Sequence, residues 1–322
     1  MKAKAIVMQQ VGGPDVLQFG EVDVLPPGAG QLTLRVLASG FNPVDTKIRS
    51  GIAPVAPDNG VLGCDVCGEI VEVGAGVSGF SVGDRVYGCV GGALQRGGSL
   101  AEMVTVDEAL VALAPSNLSD AEVATVPVVG ITAIQALCRL GVAMESTLFV
   151  LGASGGVGRY AVQLGRISGA RVTGTAGGEE RCDEVSALGV DVVDHSEVEG
   201  LVAENRRFSH VLDTVGGASF QNALQLAAPN AQVATINARN QYDLGQAHAK
   251  ALTLHAIFSL VPLLTGQGMA EHGKALRRLT ELFESGALQP SPVNTLPVQQ
   301  VADVHRQYEE RGLKQKVAFV WG

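Results

Sequence analysis

Leu148-Phe149-Val150-Leu151-Gly152-Ala153-Ser154-Gly155-Gly156-Val157-Gly158 is the stretch whose reading decides the fold. An apolar run of strand length enters a glycine-rich turn, and the turn opens a helix that continues through Tyr160, Ala161 and Val162. Each part has a physical task. Gly155 and Gly156 let the backbone approach a pyrophosphate with no Cβ in the way. Gly158 lets the helix pack closely on the strand. The N–H groups of residues 154–158, with Ser154 and Val157 between the glycines, then present the positive end of the helix dipole to phosphate. A glycine triplet alone is weak evidence, and a purely structural tight turn is the competing reading. The flanking strand and helix make the dinucleotide reading much the stronger.

Outward from this turn the chain alternates. Strand-like runs at 171–175, 190–193, 211–213 and 232–236 are separated by helical stretches at 156–168, 179–188 and 219–226. Such alternation predicts βαβ units around a parallel, doubly wound sheet. Upstream, short runs at 32–37, 68–73, 85–87 and 101–106 are split by turn signals such as Pro26-Pro27-Gly28, Asn42-Pro43 and Val82-Gly83-Asp84. They read as a β-rich, barrel-like domain. Ser119-Asp120-Ala121-Glu122 reads as a helix start. Downstream come an apolar run at 252–258, helices at 271–285 and 299–310, and a strand at 316–321. This tail is able to return to the first domain. The fold class is α/β.

The strand after the glycine turn discriminates between nicotinamide cofactors. NAD sites want a carboxylate at its end, to accept from the ribose 2′-hydroxyl. Here the end carries Thr175, Ala176 and Gly177, with Arg181 one helical turn further on. Glu179 and Glu180 cut the other way, although helix residues need not point inward. The pattern favours NADPH, with Arg181 placed to meet a 2′-phosphate.

Composition closes other routes. A net charge of -9, with Lys and Arg scattered, argues against nucleic acid and against an anionic membrane surface as partners. The longest apolar stretch, residues 251–264, is broken by Thr253, His255, Ser259 and Pro262. It is too short to span a membrane, so a place in the core is expected. Met1-Lys2-Ala3-Lys4 carries no signal-peptide pattern, and the expectation is a soluble cytoplasmic protein. Five cysteines, an odd number, do not make a disulfide framework. Cys64-Asp65-Val66-Cys67 lacks both a second pair for zinc and a strand-to-helix context for redox chemistry. Buried structural thiols are the expected reading.

Four further motifs accompany the glycine turn: Asn42-Pro43-Val44-Asp45, Leu62-Gly63-Cys64-Asp65, Val82-Gly83-Asp84-Arg85-Val86 and Gly130-Ile131-Thr132-Ala133. Together with the domain order they resemble the medium-chain dehydrogenase/reductase superfamily over nearly the whole chain. Within it, the quinone oxidoreductase branch is the most similar. The resemblance implies a GroES-like, β-rich catalytic domain of residues 1–127 and 261–322, and a Rossmann domain of residues 128–260. Zinc-dependent relatives place Cys, His and Cys around the catalytic metal. The matching positions here are Asn42, Cys64 and Val128, and a catalytic zinc needs three protein ligands. The clustered cysteines of the structural zinc lobe are absent too, with only Cys89 in that region. No zinc is expected.

The resemblance also implies site residues. Asn42 stands where this branch places an amide near the nicotinamide, although Asn before Pro is also an ordinary turn residue. The branch often carries tyrosines just after this motif, where Lys47 and Ala53 stand here. Lys47 is a candidate enolate stabiliser or proton donor, against the plainer reading of an exposed helix lysine. Asp65, like Asp45, is either a catalytic group or a backbone cap, and bound water is an alternative proton source. Thr132 matches the nicotinamide side of the cofactor site, and His195 a ring beside the adenosine. Val215, Asn237 and Phe258 follow successive strands at their carboxyl ends, where open α/β sheets bind ligands. Residues 239–264 supply substrate wall, and the run at 252–258 resembles the strand that pairs across the family's homodimer.

Without a metal, hydride transfer to a conjugated acceptor makes the best chemical sense, because the substrate's own carbonyl delocalises the arriving charge. The leading reading is an NADPH-dependent reductase of quinones, enones or other α,β-unsaturated carbonyls. An enoyl thioester reductase and a non-catalytic NADPH-binding protein stay open beside it.

Overall fold

A computed structural model describes residues 1–310 and 312–321. The chain divides into unit 1, Met1–Val128 with Leu260–Gly322, and unit 2, Val129–Ser259.

Unit 1 opens with an antiparallel pair, β1 (Lys2–Met8) and β2 (Leu17–Asp23). There follow β3 (Gln31–Gly40), helix α1 (Pro43–Arg49), β4 (Asp65–Val73), β5 (Arg85–Cys89), β6 (Met103–Asp107), β7 (Val111–Leu113) and α2 (Asp120–Ala124). The sequence explains both helix starts. Pro43 supplies the fixed φ of a first helical turn, and Asn42 and Asp45 form a capping box. Ser119 and Glu122 form a second box before α2. β3 buries alternate residues Leu32, Leu34 and Val36, and two register shifts against β4 bend the sheet.

Unit 2 contains α3, which spans Pro127–Leu140 and so begins at its border, then β8 (Thr147–Leu151), α4 (Gly156–Ile167), β9 (Arg171–Ala176), α5 (Glu179–Ser186) and β10 (Asp191–Asp194). α6 (Val198–Ala203), β11 (Phe208–Asp213), α7 (Ala218–Leu226), β12 (Ala227–Thr235), α8 (Gly245–Ala249) and β13 (Thr253–Ala256) complete it. The six strands run parallel in the order β10-β9-β8-β11-β12-β13. Strand order reverses between β8 and β11, the switch point where doubly wound sheets bind ligands. Phe149, Val211, Phe220, Leu224 and Leu226 centre the core here.

The chain then returns to unit 1 with α9 (Val261–Thr265), α10 (Met269–Glu284), β14 (Val293–Pro297), α11 (Val301–Glu309) and β15 (Lys316–Val320). The larger sheet reads β14-β15-β3-β4-β5-β7, with β6 also on β3. Val317 and Phe319 join Ile48, Leu62 and Leu100 in one core. Arg49, 1% exposed, donates to Gly12 O and to the Glu309 carboxylate, which fastens α1 to α11.

Two readings of the sequence are corrected. The apolar stretch 251–264 is only partly core. β13 is an edge strand whose residues are mostly exposed, and Phe258 and Val261 are about half exposed, while Ile257, Leu260 and Leu263 are buried. Apolar content alone does not tell an edge strand from a central one. β2 and β14 gave no strand signal, because neither shows a clean apolar alternation and both are largely exposed.

Gly158 is where the glycine turn meets the core. A Cβ there would lie 2.1 Å from Gly152 O and 2.7 Å from Ala153 Cα. Backbone rather than a flexible side chain opposes it, so α4 would have to move off β8. Gly158→Ala should therefore destabilise unit 2 by about 1–3 kcal/mol, read as a lower urea midpoint for unit 2 at constant m-value.

Candidate functional site

The first candidate site lies at the carboxyl edge of the unit 2 sheet. Gly152 turns the chain at φ +81°, and its N–H donates to Thr175 Oγ1 at 3.0 Å. That hydroxyl lies 3.1 Å from His195 Nδ1, so the glycine turn, the end of β9 and the end of β10 share one hydrogen-bonded chain. Gly155 is the N-cap of α4 and offers no side chain to its N–H groups. They remain for an anion, helped by the helix dipole. Ser154, Gly156 and Val157 are half-buried beside it, and Gly155 is exposed.

At the next strands Asp213, fully buried, accepts from the Val215 and Gly216 N–H groups and from Thr235 Oγ1. Asn237 Nδ2 donates to Val215 O at 2.9 Å. The ends of β8, β9, β10, β11 and β12 are thus cross-linked into a rim. A cavity of about 190 Å³ opens there, lined by Leu151, Thr175, His195, Val198, Val215 and Asn222 among others. Apolar walls with a few polar groups suit a heterocyclic base, and the uncapped helix start suits its phosphates. The residues present fit a dinucleotide.

Ser154 to Gly158, Thr175, His195, Val215 and Asn237 therefore come together, with Gly177 beside the His195 ring. Phe258, 49% exposed, follows β13. Thr132 is buried on α3 and donates to Ser259 Oγ at 2.8 Å. Arg181 is exposed in the first turn of α5. Asp194, at the end of β10, is committed to Gly178 N–H and to Ser196, whose hydrogen bonds hold its pKa down at about 2. Sequence reading missed Asp213, Val198 and Asn222. Only Asp213 carried a signal, an acid closing an apolar run just before Gly216-Gly217.

The second candidate site is a buried polar cluster in unit 1. Asn42 Nδ2 donates to Asp65 Oδ2 at 2.8 Å, and Asn42 N–H to Asp45 Oδ2 at 2.8 Å. Both Asp65 oxygens accept from Val128 N–H, at 3.0 and 3.1 Å. Lys316 Nζ donates to Phe41 O and Asn42 Oδ1. Asp65 and Asp45 thus both cap backbone, the plainer of the two readings for each, and Asp65 in addition fixes Asn42. Lys47 is half-buried on the same helix as Asp45. Cys64, Cys67 and Cys89 are buried free thiols, and burial pushes Cys67 up to about 12, so it is not a nucleophile at neutral pH. Among the described residues no three His, Cys, Asp or Glu side chains are grouped to hold a metal ion, and no helix is long and apolar enough to cross a membrane.

Burial raises Asp45 to about 6 and Asp65 to about 7, against the pull of Lys316 and of their hydrogen bonds. Both folded values lie above the ordinary carboxylate range. The folded state therefore holds protons that the unfolded chain releases, and stability falls as pH rises from about 4 to 7. Each group contributes a slope of up to about 1.4 kcal/mol per pH unit in that window. Unfolding free energies measured across it should decline for the native chain, and less steeply for Asp65→Asn even though that variant starts out less stable.

Comparisons with known proteins agree with this anatomy. Residues 28–116 match the alcohol dehydrogenase GroES-like domain, and residues 188–317 the zinc-binding dehydrogenase domain. The chloroplast envelope quinone oxidoreductase homolog of Arabidopsis thaliana is 36% identical over 65% of this chain and 67% of its own length. The chloroplastic NADPH-dependent alkenal/one oxidoreductase of the same plant is 29% identical over 98% of this chain and 78% of its own. A crystal structure of an alcohol dehydrogenase superfamily protein from Novosphingobium aromaticivorans superposes with a TM-score of 0.94 at 31% identity, covering 99% of this chain and 100% of that one. The two-unit fold, the glycine turn at the switch point and these relatives together show that the chain belongs to the medium-chain dehydrogenase/reductase superfamily of oxidoreductases, with quinone oxidoreductase-like proteins among its relatives.

Proposed function

We propose that the protein is an NADPH-dependent reductase that transfers hydride, without zinc, to a quinone, an enone or another α,β-unsaturated carbonyl. The observation that carries the cofactor half is the end of β9. Thr175 is buried and tied to Gly152 and His195, Gly177 follows it, and no carboxylate stands there to receive a 2′-hydroxyl. Asp194, at the end of the neighbouring strand, is held by Gly178 and Ser196. Arg181, in the first turn of α5 with its side chain in solvent, is the cation we assign to a 2′-phosphate.

Bound NADPH supplies the hydride. The chain's own work is then to hold and to orient. The uncapped start of α4 binds pyrophosphate, and the rim made by Thr175, His195, Val215 and Asn237 holds the adenosine end. Thr132, fixed by Ser259, and Phe258 serve the nicotinamide end. Asn42 orients the acceptor's carbonyl as a hydrogen-bond donor, and Lys47 or water returns the proton. The donor set supports a zinc-free reaction, since Asn42 and Val128 are not zinc ligands of the usual kind. The exposed outer edge of β13 supports a homodimer, and we place the protein in the cytoplasm. Enoyl thioesters are the second acceptor class to test, and a protein that binds NADPH without turnover is the reading that silence would favour.

Cofactor oxidation followed at 340 nm, with NADPH beside NADH over quinones, enones and enoyl thioesters, tests the reading directly. Chelator-insensitive oxidation of NADPH by quinones or enones is the expected result. Arg181→Ala should weaken NADPH by roughly 1–3 kcal/mol, the scale of a charge-assisted contact, and leave NADH unchanged. Equal losses for both cofactors would remove Arg181 from the 2′-phosphate.

A further inference from the structure

The cluster in unit 1 is held from the far end of the chain. Lys316, the first residue of β15, donates from Nζ to Phe41 O at 2.9 Å and to Asn42 Oδ1 at 3.0 Å. Asn42 Nδ2 donates to Asp65 Oδ2. An ammonium can only donate and a carboxylate accepts. The two contacts therefore fix which end of the Asn42 amide is oxygen and which is nitrogen. Asn42 is 1% exposed, so the amide does not turn freely. One Nδ2–H remains beyond the bond to Asp65.

The charges agree with this arrangement. Asp45 on α1 and Asp65 on β4 are both buried and share Lys316 as their cation. Cys64 and Cys89 are the other titratable groups beside them. From α2, which packs against β15, Asp120 faces Arg85 and Glu122 faces Ser119. On β3 Arg35 pairs with Glu69. Lys316 is thus the cation that offsets the two buried carboxylates.

We propose that Lys316 is a positioning residue for the reduction: its ammonium locks the Asn42 amide with Oδ1 toward β15, while Asp65 accepts one Nδ2–H, which leaves the other Nδ2–H as the donor to the acceptor's oxygen. The proposal rests on the reading of Asn42 as the orienting donor. Lys316 also draws Asp65 toward its ionised form, in which both carboxyl oxygens are acceptors for Asn42 and Val128.

Lys316→Met and Lys316→Arg test it by three measurements: kcat and KM against pH, ¹³C-carboxyl titration of Asp45 and Asp65 by NMR, and NADPH affinity by fluorescence. Lys316→Met should lower kcat about ten-fold or more with little change in KM. It should also move the acidic limb of the kcat profile and both carboxyl titrations to higher pH, with NADPH affinity within two-fold of the native value. Lys316→Arg keeps the cation and should restore the titrations and most of kcat. Unmoved titrations in Lys316→Met would overturn the proposal. A ten-fold loss of NADPH affinity without a titration shift would overturn it too, and would make Lys316 a cofactor ligand instead. If Lys316→Met does not fold, Lys316→Gln keeps a donor for Asn42 Oδ1 but loses the charge, and its carboxyl titrations must still rise. If the native chain turns over no acceptor, the proposed function fails, while the titrations alone decide whether Lys316 controls the cluster.

Discussion

The antiparallel contact of β15 with β3, Ala318 opposite Gly40 and Phe319 opposite Ser39, is the interaction on which the unit 1 site depends. It joins strands that are nearly the whole chain apart. It buries Val317 and Phe319 in the core that also holds Phe41 and Ile48, and it sets Lys316 beside Phe41 and Asn42. A pairing this non-local carries a high loop-closure cost before any contact rewards it. Burial of apolar surface on β15, the Arg49–Glu309 pair and the edge-to-face contacts of Phe41 with His305 and Tyr308 all reward it at one place. The same elements that close the unit therefore align its polar cluster.

Unit 2 works by the opposite logic. Apart from β8 beside β11, its strands pair with neighbours in sequence, and its site is built from what each parallel strand presents at its carboxyl end. Gly152, Thr175, His195, Asp213 and Asn237 belong to different loops, yet hydrogen bonds between adjacent loops tie them into a rim. Pre-organisation of this kind lowers the ordering cost of binding a long flexible dinucleotide. It also explains why the polar side chains there mostly face backbone or one another, and why helix-start N–H groups are left for the ligand.

This difference in locality explains what could be read from the sequence. The glycine turn, the βαβ alternation and the capping box at Ser119 are local patterns, and the elements lie where the residues put them. Thr175 and Asn237 were legible because each stands at the end of a strand-like run, and His195 through the family resemblance. Lys316 was not, since a lysine that opens a terminal strand looks like any surface lysine until β15 is paired with β3. β14 and β2 failed for a related reason: an exposed strand with no apolar alternation is specified by its partner rather than by itself. The exposure of β13 lay outside reach too, because its apolar residues do not say whether another strand lies beyond them.

The burial of Asp45 and Asp65 then has a physical reading that neither residue supplies alone. Two carboxylates in a closed interior repel each other and resist ionisation, and replacing such a group by an apolar one of similar size is often no loss to stability. Here burial does drive both values up, to about 6 and about 7. The cluster therefore works against the fold over the neutral range. What it provides in return is orientation: the two carboxyl oxygens of Asp65 accept from Asn42 and from the start of α3, and Lys316 grips the other end of the same amide. A side chain held at both ends, at a cost to stability, is what a donor of fixed direction requires.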